Sequence, residues 1–144
     1  LVDRYYFPTP RIELGQSLQS IASSAIDISD GYAADLAHIC KGSSVSAEVW
    51  VDDLPMSTAL VNYAGEAEAR TLALSGGDDY ELCFTASPAE AFAIEQAMAA
   101  AGVTASVIGH ITTESGLRCL TPDGEHLALQ QTGYRHFAEA SHVH

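Results

Sequence analysis

Apolar and polar positions along this chain follow two alternating periods, and the switches between them outline the elements. From Arg11 to about Ser23, the residues Ile12, Leu14, Leu18, Ile21 and Ala22 recur near the helical spacing and predict an amphipathic helix with one inward face. That helix begins only after Tyr5-Tyr6-Phe7-Pro8-Thr9-Pro10, an extended connector in which each proline pushes its predecessor out of the α region. Ala25 to Ile28 reads as a short buried strand. After the Ser29-Asp30-Gly31 turn, Ala33, Ala34, Leu36, Ala37, Ile39 and Cys40 predict a second helix, which Gly42 closes in the left-handed conformation.

Val45, Ala47, Val49 and Val51 alternate with Ser46, Glu48 and Trp50, the period-two pattern of a half-covered strand with Trp50 opposite the valines. Leu54-Pro55-Met56 opens a helical segment through Tyr63, a short helix runs from Glu66 to about Ala73, and strand character returns over Glu81 to Thr85. Ser87-Pro88 puts an N-cap residue before a proline at the first helical position, opening an alanine-rich helix that ends near Ala101 at Gly102. Thr104 to Thr112 is rich in β-branched residues and predicts a strand. Turns at Glu114-Ser115-Gly116 and Pro122-Asp123-Gly124 set off a strand at Leu117 to Leu120 and a weak one near His126 to Leu129, so this end predicts antiparallel hairpins. Helices alternating with strands, without repeats, predict an α/β or α+β fold of two or three layers with a mixed, partly antiparallel sheet.

Composition narrows the picture. A chain of 144 residues, 47% apolar and 17% charged, has the make-up of one ordered globular domain. Its formal net charge of −13 argues against nucleic acid and anionic membrane as partners, because both are bound by cationic side chains. The same charge suits a nucleotide only if metal ions invert the local field or a further domain supplies basic groups. Cys40, Cys83 and Cys119 have no CxxC spacing and suggest neither a disulfide framework nor a zinc site, so a reducing cytoplasm is the expected setting. No signal-peptide pattern and no apolar run long enough to span a membrane is expected. The chain starts at Leu1 rather than Met, as expected of a piece of a longer protein.

Candidate chemistry concentrates at two glycine-marked turns. In Asp27-Ile28-Ser29-Asp30-Gly31, two carboxylates and a hydroxyl sit where a strand gives way to a helix, whose free N–H groups and positive dipole end suit phosphate. The carboxylates suit the Mg²⁺ that accompanies phosphate. The alternative is that Ser29 or Asp30 only caps the helix. Asp27 fits that alternative less well, because a carboxylate in an apolar strand needs a partner. In Ser75-Gly76-Gly77-Asp78-Asp79-Tyr80-Glu81-Leu82, a glycine pair permits close backbone approach and three carboxylates follow within five positions; here the alternative is a turn with solvated charges. His38, His110 and His126 lack ligand spacing and read as structural or surface histidines. The GxxxxGK[ST] loop is absent and Lys41 is the only lysine, which excludes a P-loop kinase.

At these motifs the chain resembles a known family. AIDISDGYAADLAHI (25–39), ALSGGDDYELCFT (73–85), GYRHF (133–137) and RYYFPTPRIELGQSL (4–18) are similar, in order and spacing, to the carboxyl-terminal half of the thiamine-monophosphate kinases. These belong with aminoimidazole ribonucleotide synthetase and selenophosphate synthetase. The resemblance implies a layered α/β/α domain and ATP-dependent phosphorylation of thiamine monophosphate to thiamine diphosphate, with Mg²⁺ as cofactor and ATP as co-substrate. It implies Asp27 and Asp30 as metal ligands, Ser29 as an ATP contact, and Asp78 and Tyr134 as substrate contacts. Asp78 stands where the family usually has Glu, and Tyr32 where Leu is common. Residues 1–10 would be the connector from a missing amino-terminal domain, 11–137 the kinase domain and 138–144 a tail. The fragment alone would be inactive, and the full-length protein a homodimer. The alternatives are a sister synthetase of the same superfamily and a non-catalytic acidic domain that binds cations or a protein.

Overall fold

The computed structural model describes residues 9–77, 80–114 and 116–127. Connector residues 1–8, Asp78, Asp79, Ser115 and everything from residue 128 onward, Tyr134 and the tail included, lie outside the described residues.

The first helix, α1 (Ile12–Leu18), is shorter than the sequence pattern predicts. Leu14 and Leu18, one turn apart, are buried, whereas Ile12, two residues before Leu14 and so on the opposite side, is 65% exposed. Strand β1 (Ser24–Asp27) pairs antiparallel with β3 (Leu82–Thr85), from Ser24 opposite Thr85 to Asp27 opposite Leu82. The ladder continues past the strand end through Ile28 N–H to the Glu81 carbonyl (2.8 Å) and Tyr80 N–H to the Ile28 carbonyl (3.0 Å). The register places Asp27 and Ala25 on the face that carries Leu82 and Phe84. On that face α1 and α5 (Ala91–Ala101) cover β3 and leave Ala25 and Asp27 exposed. The strand read as buried is therefore covered on one side only.

Helix α2 (Tyr32–Ser43) lies against the other face of the β1–β3 pair. It runs through Gly42, where the sequence placed its end, and stops at Ser44, which takes the left-handed conformation (φ 54°) while its N–H reaches the Cys40 and Lys41 carbonyls. Strand β2 (Ser46–Trp50) follows, then a 3₁₀ turn at Val51–Asp53. Helix α3 (Thr58–Ala64) begins only after Ser57, whose hydroxyl accepts the Leu60 N–H, and α4 (Glu66–Ser75) follows it. The Ser87 cap, the Pro88 turn and the left-handed Gly102 that closes α5 match the sequence reading.

Strands β4 (Gly109–Thr112) and β5 (Leu117–Leu120) do not form the expected hairpin with each other. Both flank β2, β4 antiparallel and β5 parallel. The connection between them arches over the start of β2, where the buried Ser46 hydroxyl accepts the Gly116 N–H at 2.9 Å. Only the last four residues of Thr104 to Thr112 form a strand. The second hairpin is present as an antiparallel bridge between Leu120 and His126.

The result is an α/β domain with mixed strand pairing and helices on both faces of the β1–β3 pair. The larger core joins Leu36 and Cys40 of α2, Leu74 of α4, Cys119 of β5, and Ala47 and Val49 of β2, with Val51 and Leu54 just beyond it. Tyr32 and Cys83 pack against it. Burial pushes the Cys83 and Cys119 thiols up to about 11, and burial raises the Tyr32 phenol still further above its ordinary range. The smaller core joins Leu14, Leu18 and Ala97.

Candidate metal and phosphate site

The two turns singled out in the sequence meet backbone to backbone. Gly31 has φ +112°, and a Cβ there would lie 2.7 Å from the Ser75 carbonyl oxygen. A Cβ on Gly77 would lie 2.3 Å from the Ser29 carbonyl oxygen, closer than real contacts allow. Only glycine permits this approach, so Ser29-Asp30-Gly31 and Ser75-Gly76-Gly77 form one junction at the end of the β1–β3 ladder. Strand β1 stops at Asp27, so Ser29 lies in the turn that follows it.

Neither Ser29 nor Asp30 caps α2. Its N-cap is Gly31, without a side-chain cap. The turn is held instead by Asp35, in the first turn of α2, whose Oδ2 accepts the N–H of Ser29 (2.9 Å) and of Asp30 (3.1 Å). Asp35 is 2% exposed. The sequence reading missed it; its signal was an acid at the start of a helix, immediately before the inward-facing Leu36.

Glu81, the last acid of the second motif, is gripped by Arg11. Nε donates to Oε2 and an Nη to Oε1, both at 2.9 Å, and this hydrogen bonding raises the Arg11 pKa above its ordinary value. Between the junction and Glu81, Tyr80 has φ +51°. For a residue with a Cβ, the left-handed region costs roughly 1–2 kcal/mol. The N–H bond of Tyr80 to Ile28 holds it there.

Asp27 is exposed, and Ser29 and Asp30 are half-buried. Asp27 therefore does not need the partner that a buried strand carboxylate would require. Among the described residues, neither the Asp27 nor the Asp30 carboxylate has an ion-pair or hydrogen-bond partner, and no group of three or more potential metal ligands occurs. An oxygen-only pair fits Mg²⁺, which is held by one or two carboxylates and completes its shell with water and substrate phosphate. Asp78 and Tyr134, the expected substrate contacts, lie outside the described residues.

The sequence profile of the AIR synthase related protein, C-terminal domain, matches residues 5–120. The chain belongs to this family. Within it, the chain is 43% identical to the thiamine-monophosphate kinase of Escherichia coli K12 over 138 residues, which is 96% of this chain and 42% of that protein. It is 42% identical to the thiamine-monophosphate kinase of Haemophilus influenzae, covering 97% of this chain and 44% of the relative. The chain thus spans less than half the length of these relatives. Among solved structures, it resembles the thiamine-monophosphate kinase of Stenotrophomonas maltophilia K279a, with 44% identity and a TM-score of 0.76 over 82% of this chain and 36% of that one. It also resembles AaThiL complexed with AMPPCP and TMP, with 29% identity and a TM-score of 0.74 over 94% of this chain and 40% of that one. The hydrogenase maturation protein HypE of E. coli shares the fold at 18% identity and a TM-score of 0.65, covering 81% of this chain and 38% of that one. Likeness of fold alone therefore does not assign an activity.

Proposed function

We propose that this chain is the carboxyl-terminal domain of a thiamine-monophosphate kinase, an enzyme that moves the γ-phosphoryl group of ATP onto the phosphate of thiamine monophosphate. The observation that carries this reading is the 43% identity to the E. coli kinase along 96% of the chain. The junction supports it, because it leaves Asp27 and Asp30 without a cation from the described residues. In this reading Asp27 and Asp30 hold Mg²⁺, the Ser29 hydroxyl donates to a phosphate oxygen of ATP, and Asp78 and Tyr134 contact the thiamine end. An aromatic face such as that of Tyr134 favours a cationic ring. Bound Mg²⁺ supplies charge neutralisation between two polyanionic substrates. The protein's part is alignment: the junction fixes the turn so that acid and hydroxyl need little reorganisation when substrates arrive.

Residues 11–137 form the domain in this reading and residues 1–10 connect it to an amino-terminal portion, without which the chain does not turn over. The whole protein works in the cytoplasm as a homodimer, and bound metal ions offset part of this chain's −13 charge, which disfavours nucleic acid and anionic membrane as partners. No helix among the described residues is long and apolar enough to cross a membrane. The test is to extend the chain to the length of its relatives and supply ATP, Mg²⁺ and thiamine monophosphate. Thiamine diphosphate and ADP are expected in equal amounts; ATP turnover without thiamine diphosphate overturns the proposal.

A further inference from the structure

Asp35 makes bonds that its own helix does not require. A carboxylate buried to 2% exposure is retained only where hydrogen bonds offset its desolvation. Those bonds come from the N–H groups of Ser29 and Asp30, six and five residues upstream, rather than from the first turn of α2. From the other side, the Ser75-Gly76-Gly77 backbone presses on the same turn. The turn is thus fixed between a buried acceptor and a neighbouring backbone, while the side chains of Ser29 and Asp30 remain half-buried at its surface.

We propose that Asp35 is a positioning residue for the metal and phosphate site. By drawing both amides toward α2, it sets the direction in which the turn presents the Asp30 carboxylate and the Ser29 hydroxyl beside Asp27. The inference rests on the reading that Asp27 and Asp30 hold a divalent cation, and it adds a residue that touches neither metal nor substrate. Groups that orient metal ligands in this indirect way typically change affinity by about 10–100-fold when removed.

The test titrates the ¹⁵N-labelled 144-residue chain with Mg²⁺ alone and follows the folded-state amide resonances. Asp35→Ala should raise the Kd for Mg²⁺ by about tenfold or more. Asp35→Asn, which keeps the size and one acceptor oxygen, should stay within about threefold of wild type. A merely structural role would lower stability while leaving the Kd of the folded molecules unchanged, and that result overturns the proposal. If Asp35→Ala does not fold, Asp35→Glu serves: it keeps charge and acceptors but displaces the turn by one methylene. A weakened Kd in a folded Asp35→Glu chain supports positioning, and an unchanged Kd overturns it. Asp27→Asn separates the two levels of the argument. Lost affinity in Asp27→Asn with wild-type affinity in Asp35→Ala overturns positioning alone, whereas no Mg²⁺ binding in wild type overturns both. Failure of the extended protein to form thiamine diphosphate would leave a positive binding result standing.

Discussion

Carboxylates on the outer face of the three-stranded sheet and those at the Asp27–Asp30 turn carry the same charge in opposite company. On the sheet, Glu48 lies between Arg118, with which it pairs closely (2.6 Å), and His110 (3.1 Å), and Arg118 also reaches Glu114. Trp50 packs against His110 beside this group, with ring centroids 5.6 Å apart. Arg70 likewise holds Asp52, and Arg11 holds Glu81. All three described arginines are thus engaged away from the turn, and Asp27 and Asp30 have none. A chain with 19 acidic residues against 6 Lys and Arg needs to place its few cations selectively. Paired acids here brace strands and helices, whereas Asp27 and Asp30 stand without a cation among the described residues at the turn that glycine and Asp35 hold in place.

The harshest way to break this contrast is to separate the two turns. Gly77→Ala puts a methyl group against the Ser29 carbonyl and should destabilise the chain by about 3 kcal/mol or more in urea denaturation, with loss of Mg²⁺ binding. Gly42→Ala is the control, since a Cβ there meets nothing and the residue lies within a helix; it should be neutral or stabilising by up to about 1 kcal/mol.

A second prediction acts on the core that both regions share. The Cys119 thiol is raised by burial from 9 to about 11, so the folded state holds its proton where the unfolded chain loses it. The stabilisation is complete below pH 9 and disappears as pH rises through 11. Denaturation midpoints should fall across that window by the equivalent of about 2–3 kcal/mol per thiol, and Cys119→Ala should flatten the fall. Arg11→Gln, third in size, should cost about 1 kcal/mol, because the pair is partly exposed but bidentate. Hydrogen exchange should quicken at the Tyr80 and Ile28 amides before it does in the cores.

Local chemistry explains what the sequence made legible. The helix opened by Ser87-Pro88, the half-covered β2 with Trp50 outward, and both glycine turns follow from nearest-neighbour preferences that survive packing. The candidate metal acids were visible for the same reason. What stayed hidden depends on partners distant in the chain. Nothing near Arg11 indicates that it grips Glu81, seventy residues away, and nothing in Gly116 indicates that the Ser46 hydroxyl will steer its strand to the far side of β2. Asp35 was overlooked because an acid in the first turn of a helix is ordinary, and only its burial reveals the work it does.

The most direct measurement of the central claim is a Mn²⁺ titration of the ¹⁵N-labelled chain, in which the bound paramagnetic ion broadens nearby amide resonances. The account predicts early broadening at residues 27–31 and 75–77 together, lost in Asp27→Asn and Asp30→Asn and unchanged in Glu48→Gln. Broadening centred on Glu48 and Glu114, or broadening of only one of the two turns, would contradict it.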